Sequence, residues 1–250
     1  MIFRLKALGL HLLASAAILT LILGTLYFGW YRWPGWYLTH VTEVVIVMIG
    51  VDVVVGPLLT LVVARSTKPR RELQRDIAMI IVVQLCALIY GTTSLWSGRP
   101  LYYAFSDPVV QLVQAYDISA EDARSGRAES PHLAPHWYSL PRWIWATLPE
   151  DVLERDKKNN VSVAEDDPIS QPRYFKPWEQ GLPSLKARLR KVDEVAYFSP
   201  QDKRTIKKHM QALGLSTDES NAIPYIGRGT QLLAVFDLTT MKMSHIFTPK

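Results

Sequence analysis

Three stretches of the chain are apolar all the way round rather than along one face. They run from Ala7 to Trp30, from Val41 to Ala64 and from Ile77 to Trp96. A core helix of a water-soluble domain is usually shorter and shows an apolar stripe with a polar back. At about 1.5 Å per residue, a run as long as the first reaches roughly 36 Å, enough to cross a bilayer with some tilt. The pattern predicts transmembrane helices over about residues 7–30, 41–64 and 77–96, within a membrane domain of residues 1–97. A cleaved signal peptide is the competing reading of the first run, because Arg4 and Lys6 precede it. The run is too long for a signal core, no small-residue cleavage site follows it, and two more spans come after.

From Gly98 onward the pattern shortens and mixes. Leu101, Tyr103 and Phe105 alternate with their neighbours, which predicts two short strands around Ser106-Asp107-Pro108. Ser119 reads as the cap of a short helix with Glu121 and Asp122 in its first turn. Residues 124–142 read as a loop, and Arg142 to Leu148 as a strand. A helix start is expected over Pro149 to Lys158, irregular chain over 159–181, and a basic helix over Pro183 to Val192. Ser199 as cap, Pro200 as first residue and Gly214 as stop predict a helix ending at Leu213. From Ala222 the chain reads as a strand and then a hairpin turning at Thr239-Thr240. The expected architecture is therefore an α-helical membrane bundle of three transmembrane helices, followed by a mixed α+β extracytoplasmic domain over residues 98–250.

Charge gives the bundle a direction. Arg4 and Lys6 precede the first span, and Arg65, Lys68, Arg70, Arg71 and Arg75 fill the loop 65–75, against Arg32 alone between the first two spans. Seven basic residues facing one is a positive-inside pattern, so the N-terminus and the basic loop are expected in the cytoplasm. Tyr27, Trp30, Tyr31, Trp33, Trp36, Tyr37, Tyr90 and Trp96 all fall at the opposite ends of the spans, where an interfacial aromatic belt belongs. The net charge of +5 is carried mostly by these membrane segments: residues 1–97 hold eight Lys/Arg and four Asp/Glu, the rest twenty and nineteen. The outer part is thus nearly neutral, which argues against a nucleic-acid partner. The single cysteine, Cys86, excludes an intrachain disulfide.

Within the spans the polar residues stand out. Asp52 lies near the middle of the second, where a carboxylate costs roughly 2.5–3.5 kcal/mol on insertion scales. Gln84 lies at similar depth in the third and is placed to hydrogen-bond it. Gly56-Pro57 follows about one turn later, and the proline is expected to kink the span. These residues read either as a docking site or as a polar clamp holding the helices together. A transport path needs a chain of ionisable groups, and Asp52 stands nearly alone. His11, one turn before Ser15, reads as a packing residue near the cytoplasmic end.

No sequence signature of an enzyme is present: no HExxH, no phosphate-cradling loop, no GxGxxG and no GxSxG. His132 and His136 are separated by Pro135, which argues against a helical metal face. Glu165-Asp166-Asp167 reads as a solvated loop and Gly227-Arg228-Gly229 as a turn. Neither a cofactor nor a metal is expected. Trp137 and Trp178 fall in Pro-rich segments read as loops, where an aromatic ring is available to a partner or to the membrane surface.

Several blocks resemble the TfpX/TfpZ-type accessory proteins of type IV pilins. They are HLLAS from His11, WYRWPGWY, VDVVVGPLLTLVV from Val51, RELQRDIAMIIVVQLCALIYG from Arg71, GRPLYYAFS from Gly98, LPEDVLERD from Leu148 and IPYIGRG from Ile223. The resemblance implies a non-enzymatic, multi-pass protein of the bacterial inner membrane, its C-terminal domain in the periplasm, acting as accessory factor or chaperone for a pilin. The expected partners are the bilayer, the pilin's membrane helix and its periplasmic head. The candidate partner-binding residues are Asp52, Gly56, Pro57 and Gln84 in the membrane and Trp178 outside it, with strand addition at the terminal hairpin as a further route. A membrane-anchored immunity or sensor protein is the rival reading.

Overall fold

The computed structural model of the chain describes residues 2–39, 41–64, 68–149, 167–227 and 230–248. The chain divides into two compact units, Met1–Arg99 and Pro100–Lys250.

In the first unit, α1 (Ile2–Leu26) runs on into a π-helical turn, Tyr27–Tyr31. A short α2 (Gly35–Leu38) turns the chain into α3 (Thr42–Ile49), which passes through a π-helical stretch, Gly50–Val55, into α4 (Gly56–Val63). The third long helix is α5 (Arg70–Ser97). The helical stretches Ile2–Tyr31, Thr42–Val63 and Arg70–Ser97 are each long and apolar enough to cross a membrane. The first and third begin several residues before their apolar runs. Helix geometry continues through the basic residues, and Glu72 in the first turn of α5 suits the positive end of the helix dipole. Most large apolar side chains point away from the bundle: Leu10 is 73% exposed and Leu21 72%. That arrangement is costly in water and costs nothing in lipid, where the surroundings are as apolar as leucine.

The apolar core of the bundle extends to its aromatic end. Tyr31, Val41, Met48 and Leu95 form its buried core there. The Tyr31 hydroxyl donates to the Leu95 carbonyl at 2.6 Å, and Trp30 meets Trp96 edge-on with centroids 5.0 Å apart. The Arg99 guanidinium lies over the Trp96 ring at 4.1 Å. Met48 fills the bare face of Gly91, so a side chain there would collide with it.

The second unit is built on a seven-stranded mixed sheet. Its strands are β1 (Pro100–Ser106), β2 (Val109–Gln114), β3 (Arg142–Ala146), β4 (Phe175–Pro177), β5 (Ala222–Gly227), β6 (Thr230–Asp237) and β7 (Lys242–Phe247). Their spatial order is β4-β3-β1-β2-β5-β6-β7. The pairs β1–β3 and β2–β5 are parallel and the others antiparallel. The helices are α6 (Ala120–Glu129), α7 (Trp178–Arg188) and α8 (Pro200–Ala212).

The first two strands, the Ser119 cap, the strand from Arg142, the helix from Pro200 and the terminal hairpin stand where the sequence places them. Three expectations change. Strand β1 does not alternate: Pro100 to Phe105 are all buried, because the strand lies inside the sheet with both faces covered. The segment read as a loop from residue 124 stays helical to Glu129, with Gly126 pressed against Pro172. The basic helix runs Trp178–Arg188 rather than Pro183–Val192, with the proline tolerated inside it, so that β4 and the helix start occupy the end of the stretch 159–181 read as irregular. The helix start over Pro149 to Lys158 lies outside the described residues, as do Glu165-Asp166 and Arg228-Gly229.

Two apolar cores flank the sheet. One joins Ile206 and Met210 of α8 to Leu233, Val235 and Phe247. The other gathers Tyr102, Ala104, Val113, Ile144 and Phe175.

Candidate functional site

The site is assembled from one polar residue or pair per long helix. Asp52 and Thr60 come from the second, His11 from α1 and Gln84 from α5. Asp52, Gly56 and Thr60 recur every four residues, which sets them on one face of an α-helix. The π-helical stretch adjusts that face. Pro57 has no N–H to donate, and just before it the Gly56 N–H bonds to the carbonyl of Val51, five residues back. The ladder widens by one residue instead of breaking, and α4 continues beyond it. Asp52 lies within the widened turn and is buried.

Gly56 admits the partner from the next helix. A Cβ at this position would overlap the Gln84 amide, so the Gln84 head can cross α4 only because residue 56 has no side chain. From there the Gln84 Nε2 donates to the main-chain carbonyl of Asp52 at 3.2 Å. That carbonyl only accepts, so the amide orientation is fixed and Gln84 Oε1 faces His11. His11 Nε2 lies 2.6 Å from Gln84 Oε1, and His11 Nδ1 lies 2.6 Å from Thr60 Oγ1. Because Oε1 only accepts, Nε2 donates to it; a neutral ring then accepts the Thr60 hydroxyl at Nδ1. All three long helices are thus tied at one depth.

One atom stays outside the network. Asp52 is 6% exposed, and its Oδ2 is buried with no hydrogen-bond partner among the described residues. Asp52 also lines a groove of about 380 Å³ between α1 and α5. The groove walls are Ala7, Leu10, Ala14, Ile18, Ile77, Ile81, Leu85 and Leu88; His11, Ser15, Thr60 and Gln84 are its polar residues. A second groove of similar volume, with Val55, Gly56, Leu59, Met79 and Val83 in its walls, also reaches Gln84.

Asp52, Gly56, Pro57 and Gln84 therefore converge as the sequence suggests, and Gly56, Pro57 and Gln84 are buried. The bare face of Gly56 is occupied by Gln84, so it serves packing within the bundle. From the sequence, His11 reads as a packing residue and Thr60 is not placed in the site. The spacing Asp52-Gly56-Thr60 carried a signal for the threonine, whereas the position of His11 depends on how α1 packs. Through Gln84, His11 joins the same network as Asp52.

Trp178 belongs to the other unit. It opens α7 rather than sitting in a loop, and it is half-buried. Its ring lies 4.9 Å from that of Trp143 and stacks on Phe236 at 6.3 Å, while Trp143 reaches Tyr103 at 5.1 Å. Trp137 is 74% exposed, with Tyr138 and Leu140 also exposed beside it. Among the described residues, no group of three or more His, Cys, Asp or Glu side chains is placed to hold a metal ion.

No protein-family model matches the chain, and no solved structure matches it. Three curated proteins of Dichelobacter nodosus do. The fimbrial assembly protein of serogroup I is 23% identical over 241 residues, covering 94% of this chain and 91% of that protein. The serogroup E1 protein is 22% identical over the same proportions. The fimbrial assembly protein of serogroups C1 and C2 is 30% identical over 121 residues, 48% of this chain and 92% of that protein. This chain belongs to the fimbrial assembly protein family. Its three helical stretches, each long and apolar enough to cross a membrane, and their polar crossing are accordingly parts of a protein of fimbrial biogenesis.

Proposed function

We propose that this family member is an inner-membrane accessory factor, or chaperone, for a type IV pilin. It holds the pilin's apolar helix in the membrane and its head outside, before or during assembly of the fimbrium. The N-terminus and the basic loop face the cytoplasm, and the sheet unit lies in the periplasm. Its work is binding rather than chemistry.

The observation that carries this reading is the groove between α1 and α5. It is apolar along its walls, polar where Asp52, Ser15 and Gln84 line it, and bordered by the exposed side chains of Leu10 and Leu85. A partner helix fits such a groove by close packing against small residues, here Ala7, Ala14 and Ser15. Relatives named for fimbrial assembly make the fimbrial subunit the natural occupant. The mixed sheet adds an edge strand, β7, to which an extended segment of the subunit head can pair.

The test is co-purification from native membranes in mild detergent. The affinity-tagged chain is expected to retain the major pilin at near-stoichiometric yield. Recovery of an unrelated secreted protein in its place would overturn the reading and favour an immunity or sensor role.

A further inference from the structure

We propose that Asp52 is the specificity contact of the groove, taking a hydrogen bond from a donor side chain on the docked helix at the depth of Asp52. This inference rests on the docking reading above and adds the chemistry that distinguishes the right helix from any other.

Asp52 Oδ2 is buried and has no hydrogen-bond partner among the described residues, although the residue lines the groove. Water is not available at this depth to satisfy it, and an unmatched polar atom in hydrocarbon is costly. No neighbouring donor among the described residues reaches this oxygen. The Gln84 amide bonds the Asp52 main-chain carbonyl, and the His11 ring spans Gln84 and Thr60.

Three occupants of the groove can be compared. A lipid chain covers the apolar walls but brings no donor. A purely apolar helix does the same and also leaves Oδ2 unmatched. A helix carrying a hydroxyl, amide or ammonium group at that level covers the walls and completes the carboxylate. A site built around a buried polar atom rejects ligands lacking its complement far more strongly than an apolar pocket rejects a poor fit. Asp52 would thus select the fimbrial subunit from the many apolar helices of the same membrane.

The experiment places a photo-crosslinking residue at Leu85 in the groove wall and measures the crosslink to the co-expressed pilin in intact membranes. With Asp52 intact, a strong crosslink is expected. Asp52→Val removes both oxygens and leaves a compact apolar side chain; it should lower the yield at least tenfold per molecule of inserted protein. Asp52→Asn retains an acceptor oxygen and should recover much of the signal. As a second arm that leaves this chain with its native Asp52, each donor residue of the pilin helix is replaced by Leu, and one replacement should give the same tenfold loss. An unchanged yield with Asp52→Val, or with every donor replacement, overturns the specificity contact while leaving docking in place. No crosslink from Leu85 even with Asp52 intact overturns the docking reading and this inference with it.

Discussion

At Gly56 a single hydrogen atom in place of a side chain decides whether three helices can meet. Gly56→Ala would push the Gln84 amide aside and remove its bonds to Asp52 and His11 together. Hydrogen bonds inside membrane bundles are worth about 0.6 kcal/mol each on average and up to about 1.7. Gly56→Ala and Gln84→Leu should therefore each lower bundle stability by about 1–2 kcal/mol, read by unfolding in mixed micelles. They should be sub-additive when combined, because both act through the same amide. Asp237 is a second residue whose role is local. Its carboxylate accepts from the Thr239 N–H at 2.8 Å, the Thr239 hydroxyl at 2.5 Å and the Thr240 hydroxyl at 2.9 Å. Chiefly the Thr239 bonds hold its pKa down at about 2, below the usual carboxylate range. A depressed carboxylate contributes stability above its unfolded pKa and loses it as pH falls. The β6–β7 turn should thus loosen between roughly pH 4 and pH 2. Amide exchange of Thr239 should follow that window in the native chain and lose it in Asp237→Asn.

Elements differ in how much of their form their own sequence carries. The helix α8 is legible because its determinants are local. Ser199 Oγ accepts from the Asp202 N–H at 3.1 Å, Asp202 returns a bond to the Ser199 N–H, Pro200 occupies the first turn, and Gly214 adopts a positive φ of 71° beyond the end. Ser199→Ala should cost about 1 kcal/mol, seen as faster amide exchange in the first turn of α8. The second membrane helix was legible in extent but not in detail. Pro57 announces a disturbance, yet whether the chain kinks or inserts a π turn depends on what packs against Gly50–Val55. The mixed sheet was hidden further still. Its neighbours β1 and β3, and β2 and β5, are joined across long connections, and nothing in the local pattern of Ala222–Gly227 names Val109–Gln114 as its partner. Trp178 shows the same limit. Proline-rich flanks suggested a loop, and only contact with Trp143 and Phe236 reveals the helix start it anchors.

For the whole molecule, the three long apolar helices and their polar interruptions could be read from the sequence because an uninterrupted apolar run of that length is a simple signal of composition. The union of His11, Asp52, Thr60 and Gln84 could not, because it depends on how three helices are rotated against one another. That union bears on both readings of Asp52: its main-chain carbonyl helps to clamp the bundle, and the residue also lines a groove. The central claim is that the groove between α1 and α5 receives the apolar helix of a fimbrial subunit. The most direct measurement is a photo-crosslinking scan in native membranes with probes at Leu10, Ile18, Ile81 and Leu85, which line the groove, and at Val62 and Val82, which are exposed but do not line it. The account predicts crosslinks to the pilin from the groove positions and none from Val62 or Val82. Equal labelling at all six positions, or no pilin crosslink from the groove, would contradict it.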